Sequence, residues 1–342
     1  MTTTHRTVVY VSCAKGDCID VLALDRAGGT LSRITTVALP GNGMPLATAR
    51  DRRHLYAAVA GNGDDGPRLS TFAIDQATGA LDPRGTVPAP GRMSHITVDR
   101  SGRHLLGASV ANDLISSHAI TVDGALASAT SDVRKVPSKA HHISTDLGNR
   151  FVLVPNLGAD LVSRFRFDAD GGRFEPCGEV RVQAGAAPRH MVHHPNGRFA
   201  YLLCEEDGTI IAFTIDAVTG ALAEIQKSDF LPAGFDGRPW GAQILTTPDG
   251  RFLYASERRA SSITLHAIDP ATGRLQRAGE WMTESCPRNF TIDSEGRHLI
   301  AGGEESGRVA CYAINARTGH LEERSTIATG AGPIWIEAIG LA

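Results

Sequence analysis

Residues 216–222 read Asp-Ala-Val-Thr-Gly-Ala-Leu and lie between two runs rich in apolar and β-branched residues. The aspartate side chain can accept a hydrogen bond from the backbone two residues further on, and Gly220 can adopt the positive φ that reverses the chain. The stretch therefore predicts the tip of a β-hairpin. Seven such turns occur, at residues 25–31, 75–81, 122–126, 168–174, 216–222, 269–275 and 315–321.

A second repeated feature is an arginine that opens an apolar strand, as in Arg198-Phe-Ala-Tyr and Arg251-Phe-Leu-Tyr. Six copies occur, at Arg53, Arg103, Arg150, Arg198, Arg251 and Arg297, with 46 to 53 residues between successive copies. This spacing leaves room for four short strands and their turns, which is typical of a propeller blade. Residues 262–268 alternate with a period of two, which disfavours helical repeats.

There are seven turns but only six of these arginines, and this difference indicates how the repeats close into a ring. Residues 8–11 (Val-Val-Tyr-Val) begin in the middle of a repeat, and residues 333–338 add one further strand after the last turn. We expect these two segments to pair, because pairing closes a ring and covers an open sheet edge. The sequence thus predicts an all-β protein, a single seven-bladed β-propeller domain over residues 1–342.

Composition restricts the class of function. The chain has 34 Lys and Arg against 37 Asp and Glu, so no strong net charge attracts nucleic acid or a membrane surface. No segment approaches the roughly 20 apolar residues of a membrane span, and the N-terminus lacks the apolar run of a signal peptide. We therefore expect a cytoplasmic protein whose six scattered cysteines are free thiols.

Alignment on the six arginines separates packing positions from candidate binding positions. The column nine residues before each arginine becomes cationic in the fourth, fifth and seventh units, whereas packing alone would repeat one residue type. Its members are Met44, Ser94, His141, Arg189, Ala242 and Arg288, with Ile334 in the last strand. A second column, seven residues after each arginine, contains Ala60, Val110, Leu157, Glu205, Arg258 and Glu304.

The two columns predict one anion site if both reach the same end of the propeller channel. They would then gather Arg189, Arg258, Arg288, His141, His142, His190 and Glu205 around one cleft. A channel mouth formed by several blades is a suitable ligand pocket. Because guanidinium groups match carboxylate and phosphate equally well, the ligand class is an anion of either kind.

Residues 189–194 (Arg-His-Met-Val-His-His) resemble a metal-binding run, but strand geometry argues against one shared ion. His190 and His193 point to opposite faces of a strand, and His190 and His194 are about 13 Å apart along it. We expect His193 and His194 to form a solvated strand end. Nucleotide-binding and zinc-enzyme motifs are absent from the sequence, so neither a metal nor a cofactor is expected.

The longest insertion, residues 227–240, follows the fifth unit. Its glycines, prolines and aromatic residues predict an ordered loop. Phe230, Phe235 and Trp240 either wall the ligand pocket or cover the edge of the blade.

Several stretches together resemble the bacterial seven-bladed lactonases, a family related to 6-phosphogluconolactonase and to the 3-carboxy-cis,cis-muconate lactonizing enzymes. They are residues 185–201 (GAAPRHMVHHPNGRFAY), Trp240, residues 247–258 (TPDGRFLYASER), residues 286–293 (CPRNFTID) and residues 330–335 (GAGPIW). The resemblance covers nearly the whole chain. It implies a metal-free active cleft formed by Arg189, Glu205, Arg258 and a histidine of the fourth unit.

Three positions differ from what the resemblance implies. Relatives often have the histidine a few residues upstream, where this chain has Lys139, which leaves His141 or His142 as the counterpart. Gln243 stands where relatives often have an acid, and Glu304 where a glutamine is common. These differences change charge and hydrogen bonding around the cleft, so the substrate can differ while the reaction type is kept.

The columns and the resemblance together predict a metal-independent lactonase acting on a small anionic lactone or sugar acid, as a monomer or homodimer. Glu205 or His141 activates water, while Arg189 and Arg258 stabilise the carbonyl oxygen as it gains charge. The substrate-binding residues are His142, His190, Arg288, Gln243, Trp240 and Lys139. Cyclisation of a carboxylated muconate and ligand binding without turnover are the alternatives.

Overall fold

Within the residues that the computed structural model describes, 6–61 and 66–341, all regular structure is β-strand. The first three strands are β1 (Thr7–Cys13), β2 (Cys18–Leu24) and β3 (Leu31–Ala38). Six sets of four strands follow. The first two sets are β4 (Gly43–Thr48), β5 (His54–Val59), β6 (Arg68–Ile74) and β7 (Leu81–Pro88), then β8 (His95–Val98), β9 (His104–Ser109), β10 (Leu114–Ile120) and β11 (Leu126–Lys135). The next two are β12 (Ser144–Thr145), β13 (Phe151–Asn156), β14 (Leu161–Asp168) and β15 (Arg173–Arg181), then β16 (Pro188–His193), β17 (Phe199–Cys204), β18 (Thr209–Ile215) and β19 (Leu222–Asp229). The last two are β20 (Gly241–Thr246), β21 (Phe252–Glu257), β22 (Ser262–Ile268) and β23 (Leu275–Met282), then β24 (Pro287–Ile292), β25 (His298–Gly303), β26 (Arg308–Ile314) and β27 (Leu321–Ala328). The last strand is β28 (Pro333–Gly340).

The strands form seven four-stranded antiparallel sheets, and each sheet is one blade. Blade 1 has the order β28-β1-β2-β3, and blades 2 to 7 follow in chain order from β4 to β27. The predicted seven-bladed, all-β propeller is confirmed. Each of the six arginines immediately precedes the second strand of its blade, as the alignment predicted.

Pairing between β28 and β1 closes the ring. Thr7 pairs with Gly340 and Ser12 with Trp335, in antiparallel register. The last strand of the chain therefore supplies the innermost strand of the first blade, as predicted. No helix in the described residues is long and apolar enough to cross a bilayer, and all six cysteines are free thiols.

The seven predicted turns join the third and fourth strands of each blade, and their glycines have φ values from 66° to 82°. At residues 216–222, Oδ1 of Asp216 accepts the backbone N–H groups of Val218 and Thr219 at 2.9 and 2.8 Å. These bonds stabilise the carboxylate and lower the pKa of Asp216. The turn chemistry expected from the sequence is therefore present.

Tyrosines in the second strands tie neighbouring blades together. Tyr201 is fully buried in blade 5, and its hydroxyl donates to the carbonyl oxygen of Gly273 in blade 6 at 3.0 Å. Tyr10, Tyr56 and Tyr254 make equivalent bonds to Gly79, Gly124 and Gly319. Because each glycine is at the tip of the next blade's hairpin, the bond fixes that tip against the preceding blade.

We expect Tyr201→Phe to reduce the free energy of unfolding by about 1–3 kcal/mol, because a buried carbonyl loses its hydrogen-bond donor while the ring packing is kept. Urea unfolding monitored by circular dichroism measures the change. Tyr312→Phe is the matched control, since the Tyr312 hydroxyl donates to the part-buried hydroxyl of Thr283, which water can replace at lower cost. A larger loss for Tyr312→Phe would contradict the tethering role.

Candidate active site

A β-bulge near the start of the innermost strands places the first column at one end of the channel. In blade 5, Pro188 pairs with Cys204 and His190 with Leu203, so Arg189 is an extra residue without a partner. The same holds for Arg288 in blade 7 and Ile334 in blade 1. A bulge re-aims side chains and interrupts strand alternation, so two successive residues of each strand can face the channel.

The first column lines a small cavity at this end of the channel. We call its seven members the arginine layer: Met44, Ser94, His141, Arg189, Ala242, Arg288 and Ile334. Six of the seven, all except Ala242, surround a cavity of about 40 Å³ together with Pro45 and Trp335. A water molecule takes up about 30 Å³, so this cavity accepts only a water molecule or one small group of a ligand.

Glu205 connects two buried arginines at the edge of the arginine layer. Its Oε2 lies 2.8 Å from Nε of Arg189 and 2.8 Å from Nη2 of Arg258. The arginine side chains are 2% and 3% exposed, and Glu205 is 13% exposed. The predicted convergence of the two columns is therefore present, and both ion pairs use the same carboxylate oxygen.

The arginines are also anchored to the backbone of blade 6. Nη1 of Arg189 donates to the carbonyl of Ala242, and Nη2 of Arg258 donates to the carbonyl of Gly241 at 2.9 Å. The guanidinium of Arg258 lies 3.8 Å from the centre of the Trp240 ring, a cation–π contact. Trp240 therefore supports the site from behind Arg258, whereas Phe230 of the same insertion is fully buried in the core between blades 5 and 6.

A third ion pair lies in blade 7, where Nη1 of Arg288 is 3.3 Å from Oε2 of Glu304. The arginine layer and its neighbours thus contain three guanidinium groups, which are paired with only two carboxylates. Glu257, next to Arg258 in sequence, is turned into its blade and accepts the backbone N–H of Trp240 at 2.6 Å. The excess of positive charge at this end of the channel favours an anionic ligand.

The residues that directly follow the arginine layer form a second set, which we call the histidine layer: Pro45, His95, His142, His190, Gln243, Asn289 and Trp335. The rings of His95 and His142 are 4.0 Å apart, and the ring of His190 is 5.2 Å from that of His142. Trp335 packs edge-on at 5.3 Å from His95. These side chains separate the small cavity from the rest of the channel.

Burial keeps the histidines neutral. Burial, with Arg189 nearby, lowers the pKa of His95 to about 3. Burial and the surrounding cations lower the pKa values of His141, His142 and His190 well below the usual range as well. At neutral pH all four imidazoles are therefore uncharged, and each has one ring nitrogen that can accept a hydrogen bond.

Beyond the histidine layer the channel widens into a cavity of about 480 Å³ that extends to the opposite end of the propeller. His95, His142, Gln243 and Asn289 line its inner end, and Glu337 lines its side. Burial raises the pKa of Glu337 to about 7, although Nε1 of Trp335 donates a hydrogen bond to its Oε1 at 3.1 Å. Arg189, Arg258 and Arg288 do not line this second cavity.

Comparison with known proteins agrees with the propeller fold. The family model described as "Lactonase, 7-bladed beta-propeller" matches residues 3–338. The chain belongs to this family. The 6-phosphogluconolactonase of Pectobacterium atrosepticum is 34% identical over 98% of this chain and 99% of its own length.

Other relatives of this lactonase family member are matched over different lengths. The alignment with the 6-phosphogluconolactonase of Sodalis glossinidius is 44% identical but covers 46% of this chain and 47% of that protein, about half of each. The periplasmic gluconolactonase of Pseudomonas aeruginosa has a solved structure with a TM-score of 0.91, over 98% of this chain and 100% of that one. At 23% identity, that likeness concerns the fold.

The structure brings most of the predicted site residues together. Arg189, Glu205 and Arg258 are in direct contact, and His141 and Arg288 line the same small cavity as Arg189. The other predicted residues lie around this centre. His190 is in the histidine layer, His142 and Gln243 face the larger cavity, Trp240 stacks on Arg258, and Lys139 is exposed at the rim, where its carbonyl accepts the N–H of Leu157.

One sequence interpretation is wrong. His194 is not a solvated strand end, because it is 5% exposed and its Nε2 donates to the carbonyl of Gly250 in the next blade at 2.9 Å. His193 is partly buried, with Nε2 3.2 Å from the hydroxyl oxygen of Ser144. Contact with neighbouring blades covers this strand end, and a single repeat does not show that contact. In the described residues, no group of three His, Cys, Asp or Glu side chains is placed to hold a metal ion.

His95, Asn289 and Trp335 were missed as channel residues. The signal was available, because each directly follows a member of the first column in sequence. The sequence does not show the bulge, and in a regular strand without it these residues would lie on the opposite face, away from the channel.

We expect Glu205→Gln to reduce the free energy of unfolding by about 2–4 kcal/mol, because two buried guanidinium groups lose their shared counter-charge. Glu206→Gln is the matched control. Its pair with Arg238 is exposed, with side chains 38% and 66% exposed, and contributes less than about 1 kcal/mol. Urea unfolding of both variants at neutral pH gives the comparison, and equal losses would contradict the assigned charge balance.

We expect Glu337 to make the stability of the protein depend on pH. The carboxyl pKa is raised from 4.5 to about 7, so the folded state holds this proton more tightly than the unfolded state. The Glu337 contribution to stability is therefore complete below about pH 4.5 and is lost as the pH rises to about 7. We expect Glu337→Gln to remove this loss and to exceed the parent in stability by about 1–3 kcal/mol at pH 8. Urea unfolding at pH 5 and pH 8 measures the difference, and an equal effect at both pH values would contradict it.

Proposed function

We propose that this protein hydrolyses a small anionic lactone of a sugar acid, as a 6-phosphogluconolactonase does. The observation that carries the proposal is the buried Arg189–Glu205–Arg258 cluster at the mouth of the channel. Both ion pairs engage Oε2 of the carboxylate, which leaves Oε1 to orient or deprotonate a water molecule. The family membership and the name of the Pectobacterium atrosepticum relative support the same reaction type.

The chemistry needs a base, an oxyanion partner and an acid. Oε1 of Glu205 or a ring nitrogen of His141 takes a proton from water, whose oxygen attacks the lactone carbonyl carbon. The guanidinium groups of Arg189 and Arg258 stabilise the negative oxygen of the tetrahedral intermediate. When the bond between the carbonyl carbon and the ring oxygen breaks, the proton passes from the base to that oxygen. The product is a hydroxy acid, which ionises at neutral pH and releases one proton to solvent.

Arg288 is suited to the distal anionic group of the substrate. Its side chain is 32% exposed and its single ion pair, with Glu304, is 3.3 Å long, so it can also contact a ligand. The small cavity next to it holds only a water molecule or one substituent. The sugar-acid portion therefore lies outside the cavity, over Arg288 and the exposed rim that includes Lys139.

The test is a substrate panel with the parent and an Arg189→Ala variant. The panel contains 6-phosphogluconolactone, the unphosphorylated gluconolactone and 3-carboxy-cis,cis-muconate, each with and without a chelator. We expect hydrolysis of the phosphorylated lactone, unaffected by chelation, and a loss in kcat/KM of about 10²-fold or more for Arg189→Ala. Arg84→Ala, on the exposed outer strand of blade 2, is the matched control and should retain parent activity.

Each other outcome overturns part of the proposal. Full activity of Arg189→Ala removes the cluster from the mechanism, and loss of activity with a chelator makes a metal essential. Turnover of the muconate alone assigns the cyclisation reaction instead. Ligand-induced thermal stabilisation without turnover of any compound assigns a binding function.

Cellular location and assembly belong to the same proposal. We propose that the protein is cytoplasmic and acts as a monomer or homodimer. Cell fractionation and sedimentation velocity test these two points, and recovery in a periplasmic fraction would contradict the first.

A further inference from the structure

Gln243 and His190 form a buried contact between blades 6 and 5. Gln243 is 7% exposed and His190 is 2% exposed. Oε1 of Gln243 lies 2.7 Å from Nδ1 of His190, a short hydrogen bond. The ion pairs of the arginine cluster do not involve this contact, so its role has to be derived from its own geometry.

The orientation of the Gln243 amide determines where His190 carries its proton. The backbone N–H of Ile244 donates to Oε1 of Gln243 at 3.1 Å, and Nε2 of Gln243 faces the carbonyl of Phe290 at 3.5 Å. Because a backbone N–H can only donate, the atom that receives it is the amide oxygen. Nδ1 of His190 must therefore donate to the same oxygen, and the neutral ring has its lone pair on Nε2.

Two ring nitrogens without partners lie in neighbouring rings. Among the described residues, neither Nε2 of His190 nor Nδ1 of His141 has a hydrogen-bond partner, and both are buried. The two ring centres are 5.1 Å apart. A modest rotation of either ring brings a proton on Nδ1 of His141 to the lone pair of His190.

The surroundings keep His190 as an acceptor. The charged and titratable groups that face it are Arg189, His141, His142 and His95, and together with burial they lower its pKa well below the usual range. All four neighbours are cationic when charged, so each disfavours an imidazolium at His190. The lone pair on Nε2 is therefore retained across the neutral pH range.

We propose that Gln243 is a positioning residue that acts through His190 to set the tautomer of His141. The first contact, from His190 Nδ1–H to Gln243 Oε1, is present, and after rotation of one ring the second would run from His141 Nδ1–H to His190 Nε2, the two atoms that have no partner among the described residues. It leaves Nε2 of His141 as the nitrogen with a free lone pair, at the wall of the small cavity where the attacking water binds. The inference rests on the proposed lactone hydrolysis, in which His141 is a base.

Two substitutions of Gln243 separate this role from a packing role. Gln243→Met keeps the volume but removes the three side-chain hydrogen bonds of Gln243, so His190 no longer has a fixed tautomer. Gln243→Glu keeps the acceptor but adds a negative charge, which stabilises an imidazolium at His190 and so puts a proton on Nε2. Gln226→Met is the matched control, because Gln226 also bonds the backbone of the next blade, at Leu275, far from the channel.

Two measurements test the inference, one of the position of the proton on His190 and one of its effect on catalysis. Long-range ¹H–¹⁵N NMR of imidazole-labelled protein, with a His190→Asn variant for assignment, reports which nitrogen of His190 is protonated. Steady-state kinetics with 6-phosphogluconolactone from pH 5 to pH 9 report kcat and KM. Thermal unfolding confirms that each variant is folded.

We expect the parent to show the Nδ1–H form of His190 throughout the neutral range. Gln243→Met should lower kcat by about 10-fold to 100-fold with KM changed less than about threefold, since base catalysis as a whole contributes about 10²-fold to 10⁴-fold. Gln243→Glu should move the acidic limb of the kcat profile upward by about one pH unit or more and recover activity at high pH. Gln226→Met should change neither profile.

An Nε2–H form of His190 in the parent would overturn the inference whatever the activity. An unshifted acidic limb for Gln243→Glu would overturn it as well. Absence of lactone hydrolysis by the parent, with His190 in the Nδ1–H form, would instead refute the proposed function and reduce the role of Gln243 to fixing His190.

Discussion

Antiparallel pairing between β28 and β1 is the interaction on which the rest of the structure depends. It joins residues 7 and 340, and it brings Ile334 and Trp335 into the channel opposite residues from the middle of the chain. Without it the channel would lack one wall, and blade 1 would have no innermost strand. Contacts of such large sequence separation form slowly because loop closure has to precede them, so ring closure is expected to come late in folding.

The site depends on a local irregularity within this regular fold. A bulge near the start of the innermost strands allows two consecutive residues to face the channel. Arg189 thereby joins the arginine layer while His190, its neighbour in sequence, joins the histidine layer. Five of the seven innermost strands have this bulge in their pairing register, and the ring of innermost strands makes both a cationic end and a neutral set of side chains behind it.

Sequence patterns predicted the fold well because they record strong local constraints. A glycine with positive φ occurs at each of the seven turns, and an aspartate or asparagine that bonds its own turn occurs at six of them, so together they specify seven hairpins. Comparison among repeats also identified Arg189, Glu205 and Arg258, because positions under packing constraint repeat one residue type and these do not. The depth and direction of side chains were not predictable in this way. A bulge changes the alternation without an obvious residue signature, and burial of His194 depends on Gly250 in another blade.

The histidine layer has a consequence for the route by which a ligand reaches the arginines. The histidine layer lies between the small cavity of about 40 Å³ and the larger one of about 480 Å³. We therefore expect a ligand that binds among the arginines to enter and leave at the arginine end of the channel. In the proposed hydrolysis the hydroxy-acid product carries a new carboxylate that the same guanidinium groups attract, so we expect the product to compete with the substrate for this opening.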